Sequence, residues 1–438
     1  MAPSSLLISG GRVLDPARGI DEHADLLLAD GVVRGIVGRD CSGPSGSYER
    51  FDGRGLIVSP GFVDIHAHLR QPGQEHKETI ATGTRSAAKG GFTTVCCMAN
   101  TTPVVDNRAQ IEYIQAIAAT EGVVRVLPLA AVTMGLRGQE LTEMADLAEA
   151  GAVAFSDDGV PLASARMMRH ALEYGRAFDR PIMPHCDDPE LMHGASMNEG
   201  PVATRLGLRG MPSAGEEALV ARDIALADLT GGRLHICHVS TIGAIDAIRR
   251  GKVRGIRVTG EASPHHLTLT DEWVAGQRWL GTGRPFDTNT KMNPPLRSEA
   301  DRRALVEALR DGTLEAIATD HAPHAPVDKD CEFDAAAFGI TGFETALGAL
   351  LRLHESDDLP LELIVERLTA GPARIFGLPY GTLAPGVSGD VCVFEPTARW
   401  QPTMEDFVSK GKNSPYLGQP LVGRVRLTVF GGTVVYQT

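Results

Sequence analysis

Gly61-Phe62-Val63-Asp64-Ile65-His66-Ala67-His68-Leu69-Arg70-Gln71-Pro72 combines a buried-strand pattern with metal-ligand spacing in one short run. Leu56-Ile57-Val58 just before it reads as the start of a buried strand. Alternate side chains of an extended chain share a face, so Asp64, His66 and His68 are expected to point the same way. Imidazoles two residues apart lie about 6–7 Å from each other along a strand and can converge on one metal ion. Arg70 continues that face where the strand should give way to a loop, a place that suits an anionic substrate held beside a metal. A lone His-x-His is more often a pair of hydrogen-bonded core histidines. Here the partners downstream tip the balance.

The totals bound what the chain can do. Its 438 residues suffice for a barrel of ordinary size plus a smaller module. Hydrophobic residues at 43% and charged residues at 22% are globular proportions. The net charge of -13 argues against nucleic-acid or membrane partners. Met1-Ala2-Pro3-Ser4-Ser5 begins no secretory signal, and no run has the length of an apolar membrane span, so a cytoplasmic location is expected. Seven cysteines without a C-x-x-C pair read as reduced thiols, with Cys96-Cys97, Cys186 and Cys237 as small buried side chains in apolar runs.

Both ends of the chain read as short strands with turns. Leu6–Val13 and Asp25–Val33 are strand-like, with Asp30-Gly31 as a hairpin turn; Gly389–Phe394 and Arg424–Tyr436 have the same texture. Neither end has enough strands for a core of its own, so residues 1–58 and 380–438 are expected to form one composite, β-sandwich-like domain. Between them, residues 59–379 alternate apolar strands with helices. The strands are Val63–His68, Thr93–Ala99, Arg125–Ala131, Val153–Asp158, Pro181–Cys186, Leu234–Val239, Ile256–Gly260 and Ala316–Asp320. Ser213-x-x-Glu216 and Thr341-x-x-Glu344 read as capping boxes, Gly231-Gly232 as a helix end, and Ser298 as the head of a helix ending near Gly312. This α/β pattern predicts a (β/α)₈ TIM-type barrel inserted in the composite domain. An open doubly wound sheet is the alternative, with no G-x-G-x-x-G after the first strand to support it.

A barrel of this kind builds its active site at the C-terminal ends of its strands. Asn100, Asp157-Asp158, His185, His238 and Asp320 all fall there. In strand four Ala152, Ala154, Ser156 and Asp158 share one face and Val153 and Phe155 the other; small residues fit the barrel interior, so Asp158 rather than Asp157 should point inward. The same parity puts Ala316, Ala318 and Asp320 inside. The inward set is then His66, His68, Asp158, His185, His238 and Asp320, four imidazoles and two carboxylates suited to zinc. That is more than one tetrahedral ion needs and fits two ions sharing a bridge. Of the other histidines, His23, His76, His170, His193 and His354 lack ligand partners, and His235 has the wrong parity. His265-His266 reads as hydrogen-bonded scaffold, His321 as facing outward, and His324 as a substrate contact.

With these residues in place, Asp64-x-His66-x-His68-Leu69-Arg70-x-Pro72-Gly73 resembles the signature of the amidohydrolase superfamily, and more narrowly that of the type I dihydroorotases. Ser156-Asp157-Asp158-Gly159, Lys291-Met292-Asn293-Pro294-Pro295-Leu296-Arg297, Thr319-Asp320-His321-Ala322-Pro323-His324 and Phe338-Gly339-Ile340-Thr341-Gly342-Phe343-Glu344-Thr345 carry the likeness, which covers nearly the whole chain. Hydantoinases and allantoinases usually bridge two metals with a carboxylated lysine from strand four; this strand has no lysine, and Asp158 stands in that place. The resemblance implies zinc, with two ions favoured over one. His66, His68, Asp158 and Asp320 would hold one, and Asp158, His185 and His238 the other. Arg70, Asn100 and His324 would grip a substrate carboxylate, with His68 also at the substrate; Asn293, Phe338 and Gly339 would meet a pyrimidine ring. Asp320 would carry the proton.

The implied activity is interconversion of dihydroorotate and N-carbamoyl-L-aspartate in de novo pyrimidine synthesis. Rival readings are a hydantoinase-like or allantoinase-like cyclic amidase and a non-catalytic scaffold partner of aspartate transcarbamoylase, a kind of chain that typically lacks the metal ligands. A homodimer and a complex with aspartate transcarbamoylase are left open. Segments 271–297 and 325–340 read as candidate lids.

Overall fold

Strands from the two ends of the chain share one eight-stranded sheet in the computed structural model, which describes residues 5–44 and 47–438. Its order is Thr433–Gln437, Leu421–Phe430, Val391–Trp400, Ile57–Pro60, Ser5–Asp15, Ile20–Ala29 and Val32–Ile36, with Glu49–Asp52 pairing in parallel to Ser5–Asp15 off that path. The seam between the two ends is antiparallel, with Val393 opposite Val58. Alternation along these strands buries Ile8, Val13, Leu26, Val58, Val393, Leu427 and Val429 in one cluster. Asp30 and Gly31 form the hairpin turn at φ of 54° and 79°, the left-handed geometry such two-residue turns require.

The middle of the chain pairs in parallel, with helices between the strands. Phe62–Ala67, Phe92–Cys97 and Arg125–Pro128 are joined in that order. Single bridges Ala130–Phe155, Phe155–Ile182 and Ile182–Leu234 continue the series. Leu234–Ile236, Val258–Ala262 and Ala316–Ile317 extend it, and a bridge from His321 to Ala67 returns to the first strand. The fourth and fifth expected strands are therefore reduced to one bridge residue each. Pro181 and Pro184 bring no N–H to a ladder, and the Asp158 N–H turns to the Ser156 hydroxyl at 3.1 Å.

Polar residues at the strand-to-helix turns start the helices. Asn107, Ser164, Thr241 and Ser298 each accept a hydrogen bond from the backbone N–H three residues on, an interaction of about 1 kcal/mol per helix. Helix Glu299–Arg310 begins at Ser298 as its sequence predicts, and Gly231 ends Ser213–Thr230 in the left-handed region at φ 67°. Neither expected capping box forms. Pro212 holds the N-cap of Ser213–Thr230, and the Glu216 carboxylate instead accepts from Ser240 N at 2.8 Å and pairs with Arg297 at 3.4 Å. Helix Phe343–Glu355 starts after Gly342, while Glu344 accepts from Val408 N at 2.9 Å and Ser409 N at 3.1 Å. A buried carboxylate gains more from several distant donors than from one local amide. All seven cysteines are free. Among the described residues no helix is long and apolar enough to cross a membrane.

Candidate active site

The first parallel strand delivers its histidines through a bulge. Asp64 lies opposite Val95 and Ala67 opposite Cys97, so this strand has one residue more than its neighbour, and alternation is interrupted between them. Asp64 therefore does not share a face with His66 and His68, contrary to the simple alternation. Its carboxylate accepts from the Thr319 hydroxyl at 2.5 Å and from His66 N at 3.0 Å. Burial pushes the Asp64 carboxyl up to about 6 against those hydrogen bonds. It ties the first strand to the eighth and offers nothing to a ligand.

Beyond the bulge the six expected ligand residues meet around Asp158. His66 Nε2 and His238 Nε2 lie 3.5 Å from Asp158 Oδ1, and His185 Nδ1 lies 3.7 Å from it. His68 Nε2 lies 3.4 Å from Asp158 Oδ2 and 3.2 Å from Asp320 Oδ1, which is 3.5 Å from His66 Nε2. Ligand atoms about 2.0–2.1 Å from a tetrahedral zinc stand about 3.3 Å apart, so these separations are those of atoms sharing a cation. His66 Nε2 and Asp158 Oδ1 are buried without a hydrogen-bond partner, as donors aimed at a metal would be. The donor set fits a divalent cation. Asp157 points elsewhere, accepting from Val132 N at 2.7 Å and Thr133 N at 3.1 Å.

Electrostatics agree. Burial opposes ionisation of Asp158 and Asp320, but the surrounding imidazoles hold both carboxyls well below the usual range. Burial likewise opposes charge on His66 and His185, yet Glu261 and Asp158 raise the first, and Asp187 and Asp158 raise the second to about 10. Two of the imidazoles are thus favoured as cations, whereas burial and then Arg70 lower His68. Its backbone is strained, with Asp320, His238 and Arg70 at φ of 47°, 31° and 60°. Such left-handed positions outside glycine cost roughly 1–3 kcal/mol each and gather at functional sites.

Three ring nitrogens that face away from the centre have oxygen partners. His66 Nδ1 meets Glu261 Oε1 at 2.6 Å, His68 Nδ1 meets Asn100 Oδ1 at 3.0 Å, and His185 Nε2 meets Asp187 Oδ2 at 2.9 Å. Each oxygen fixes a tautomer with the lone pair toward the cluster. Sequence reasoning missed Glu261 and Asp187. A carboxylate inside the apolar strand Val258–Ala262 was the available signal for the first, and the i+2 spacing from His185 for the second. Glu261 also accepts from His235 Nε2 at 3.1 Å and from the backbone His238 N at 3.2 Å, so one carboxylate holds two imidazole rings and the main chain of a third histidine. Glu261→Gln should weaken metal affinity about 10–100-fold, read by competition with a chelator. An unchanged affinity would remove Glu261 from this role.

Above the cluster lies a cavity of about 180 Å³ lined by His68, Arg70, Asn100, Asp158, His185, His238, Asn293, Asp320, His324, Phe338 and Gly339. His66 lies fully buried beside the lining. The Arg70 guanidinium donates to Pro323 O at 3.2 Å and approaches His324 Nε2 at 3.5 Å, and no carboxylate pairs with it among the described residues. Burial lowers it to about 10, partly offset by Asp320 and Asp158, so it remains a cation at neutral pH. His324 donates from Nε2 to Phe338 O at 2.7 Å; burial and then Arg70 lower it to about 3, leaving it neutral. The Asn293 amide lies 2.9 Å from His185 Nε2.

The buried histidines away from the cluster hold scaffold. His321 stacks on Phe343 at 4.0 Å, and His235 bonds Thr259 Oγ1 at 2.8 Å. His266 donates to Pro294 O at 2.9 Å, bracing the loop that carries Asn293.

The L-hydantoinase (dihydropyrimidinase) from Arthrobacter aurescens matches this structure with a TM-score of 0.86 at 25% identity, over 99% of this chain and 96% of that one. The dihydropyrimidinase from Brevibacillus agri NCHU1002 matches with a TM-score of 0.83 at 21% identity, over 99% and 95%. Fold and site together define an enzyme of the cyclic amidohydrolase class. Residues 55–243 match the family described as Dihydro-orotase-like. The dihydroorotase of Anaeromyxobacter dehalogenans is 51% identical, covering 99% of this chain and 98% of its own length, and that of Geobacter metallireducens is 48% identical, covering 99% and 100%. The chain belongs to the dihydroorotase family.

Proposed function

We propose that this dihydroorotase interconverts dihydroorotate and N-carbamoyl-L-aspartate in the cavity above His66, His68, Asp158, His185, His238 and Asp320. Those residues would hold two zinc ions, with Asp158 between them. Bound there, the metal would polarise the ring carbonyl and lower the pKa of water. Arg70, helped by Asn100 and His324, holds the substrate carboxylate, and Asn293 with the Phe338-Gly339 backbone meets the ring. As water adds to the amide carbonyl, Asp320 takes its proton and delivers it to the departing ring nitrogen; ring closure runs the same path backwards. The parallel circuit of residues 59–379 is read as a (β/α)₈ barrel set into a composite domain of residues 1–58 and 380–438.

One observation carries the choice of substrate. Arg70 is a buried guanidinium with no carboxylate partner among the described residues, opening into a small cavity beside a cation site. A planar fork of donors matches a carboxylate, which dihydroorotate has and unsubstituted hydantoin lacks. Arg70→Met should lower kcat/KM for both substrates by the equivalent of about 2–5 kcal/mol while metal content stays at the wild-type level. Unchanged kcat/KM would remove Arg70 as the carboxylate clamp. Faster turnover of hydantoin than of dihydroorotate by the unaltered enzyme would favour the hydantoinase reading.

A further inference from the structure

We infer that Lys329, with Lys291 beside it, is a positioning residue for ring recognition, an ammonium clasp that holds segment 326–340 against segment 288–293. The inference rests on the assignment of Asn293, Phe338 and Gly339 to the substrate ring.

Lys329 ends the short helix Pro326–Lys329 and is buried. Its Nζ donates to Ala337 O at 2.6 Å, Thr288 O at 3.0 Å and Lys291 O at 3.3 Å. Burial and then Lys291 lower this group to about 7, and in its ammonium form each of its three donors meets a main-chain carbonyl. Three points on two separate segments are thereby tied to one atom. The Thr288 hydroxyl closes the loop by donating to Lys329 O at 2.6 Å.

Lys291 makes the second half of the clasp. Its Nζ donates to Asp334 O at 2.9 Å and stands 4.4 Å over the Phe338 ring, within cation–π range. Its carbonyl accepts from Gly339 N at 3.0 Å as well as from Lys329. Phe338 is 36% exposed, so packing alone does not fix it. Asn293 follows Lys291 by two residues, and Gly339 is hydrogen-bonded to Lys291 itself. The ring wall is therefore assembled from two loops cross-linked by these two side chains, together with the Thr288 hydroxyl and the Gly339–Lys291 main-chain bond. Neither lysine lies in the lining of the cavity. They act through Phe338, Gly339 and Asn293.

Loss of the clasp should free segment 326–340 without unfolding the rest. In metal-loaded Lys329→Met, KM for dihydroorotate should rise about tenfold, the scale of one charge-assisted hydrogen bond, with kcat little changed. Metal content and thermal midpoint should stay at wild-type values, and chymotrypsin should cut faster after Phe333 or Phe338. Lys291→Met should shift KM and cleavage in the same direction, and it serves if Lys329→Met does not accumulate. Wild-type KM and wild-type protease resistance would overturn the inference. So would a lowered midpoint with KM unchanged, or faster cleavage with KM unchanged. Arg70→Met measured in parallel separates the two levels. If it is silent while Lys329→Met raises KM and exposes the segment, the clasp stands and the carboxylate assignment falls.

Discussion

Asp158→Ala should yield a folded protein that retains little metal after purification without chelator and has lost ring-opening activity. Among the described residues Asp158 is the one carboxylate within 3.7 Å of His66, His68, His185 and His238, so its removal takes a ligand from both sides of the cluster. The loss in affinity should exceed the 10–100-fold expected when only an orienting partner is removed. Asp157→Ala is the control. That carboxylate serves Val132 N, Thr133 N and the Thr133 hydroxyl, so its loss should cost about 1–3 kcal/mol of stability while metal stays bound. Elemental analysis of the two variants side by side decides the matter. Greater metal loss from the Asp157 variant would reverse the assignment of the bridge.

Asp320→Asn, compared with wild type at equal metal content, should turn over about 10²–10⁴ more slowly. The amide keeps the shape and one oxygen toward His68, yet it cannot take a proton from water and pass it on. Because the chemical equilibrium between the two substrates is fixed, kcat/KM must fall by the same factor in both directions. Both are measurable from the absorbance of the ring amide. Near-normal turnover would move proton transfer away from Asp320, with His324 the next residue to replace.

Much of this site was legible because strand alternation and strand ends are local properties. Parity chose Asp158 over Asp157, and Asp158 is the one found among the imidazoles. Parity failed at Asp64 because a bulge is set by the neighbouring strand, which no local pattern reports. Both capping boxes failed for a related reason. Glu216 and Glu344 have the right spacing, but Ser240 with Arg297 and Val408 with Ser409 compete for their carboxylates from distant parts of the chain. Glu261 was hidden because its partners, His66 at one side and His235 at the other, come from separate strands. Local periodicity finds what points inward; it does not find what holds it there.

The seam of the eight-stranded sheet bears on how the enzyme is made. Ribosomes deliver the chain in order, and every proposed metal ligand lies between His66 and Asp320. Ile57–Pro60, which leads directly into the ligand-bearing strand, pairs on one side with Ser5–Asp15 and on the other with Val391–Trp400. Asn413 then ties the loops at the cavity, accepting from His324 N at 2.9 Å and donating to Gly339 O at 3.0 Å. At about 5–20 residues per second, a nascent chain that has exposed its last ligand waits on the order of 5–20 s for these partners. During that interval the Ile57–Pro60 edge is open to pairing with any other extended segment, a hazard that ends only when Val391–Trp400 emerges and docks.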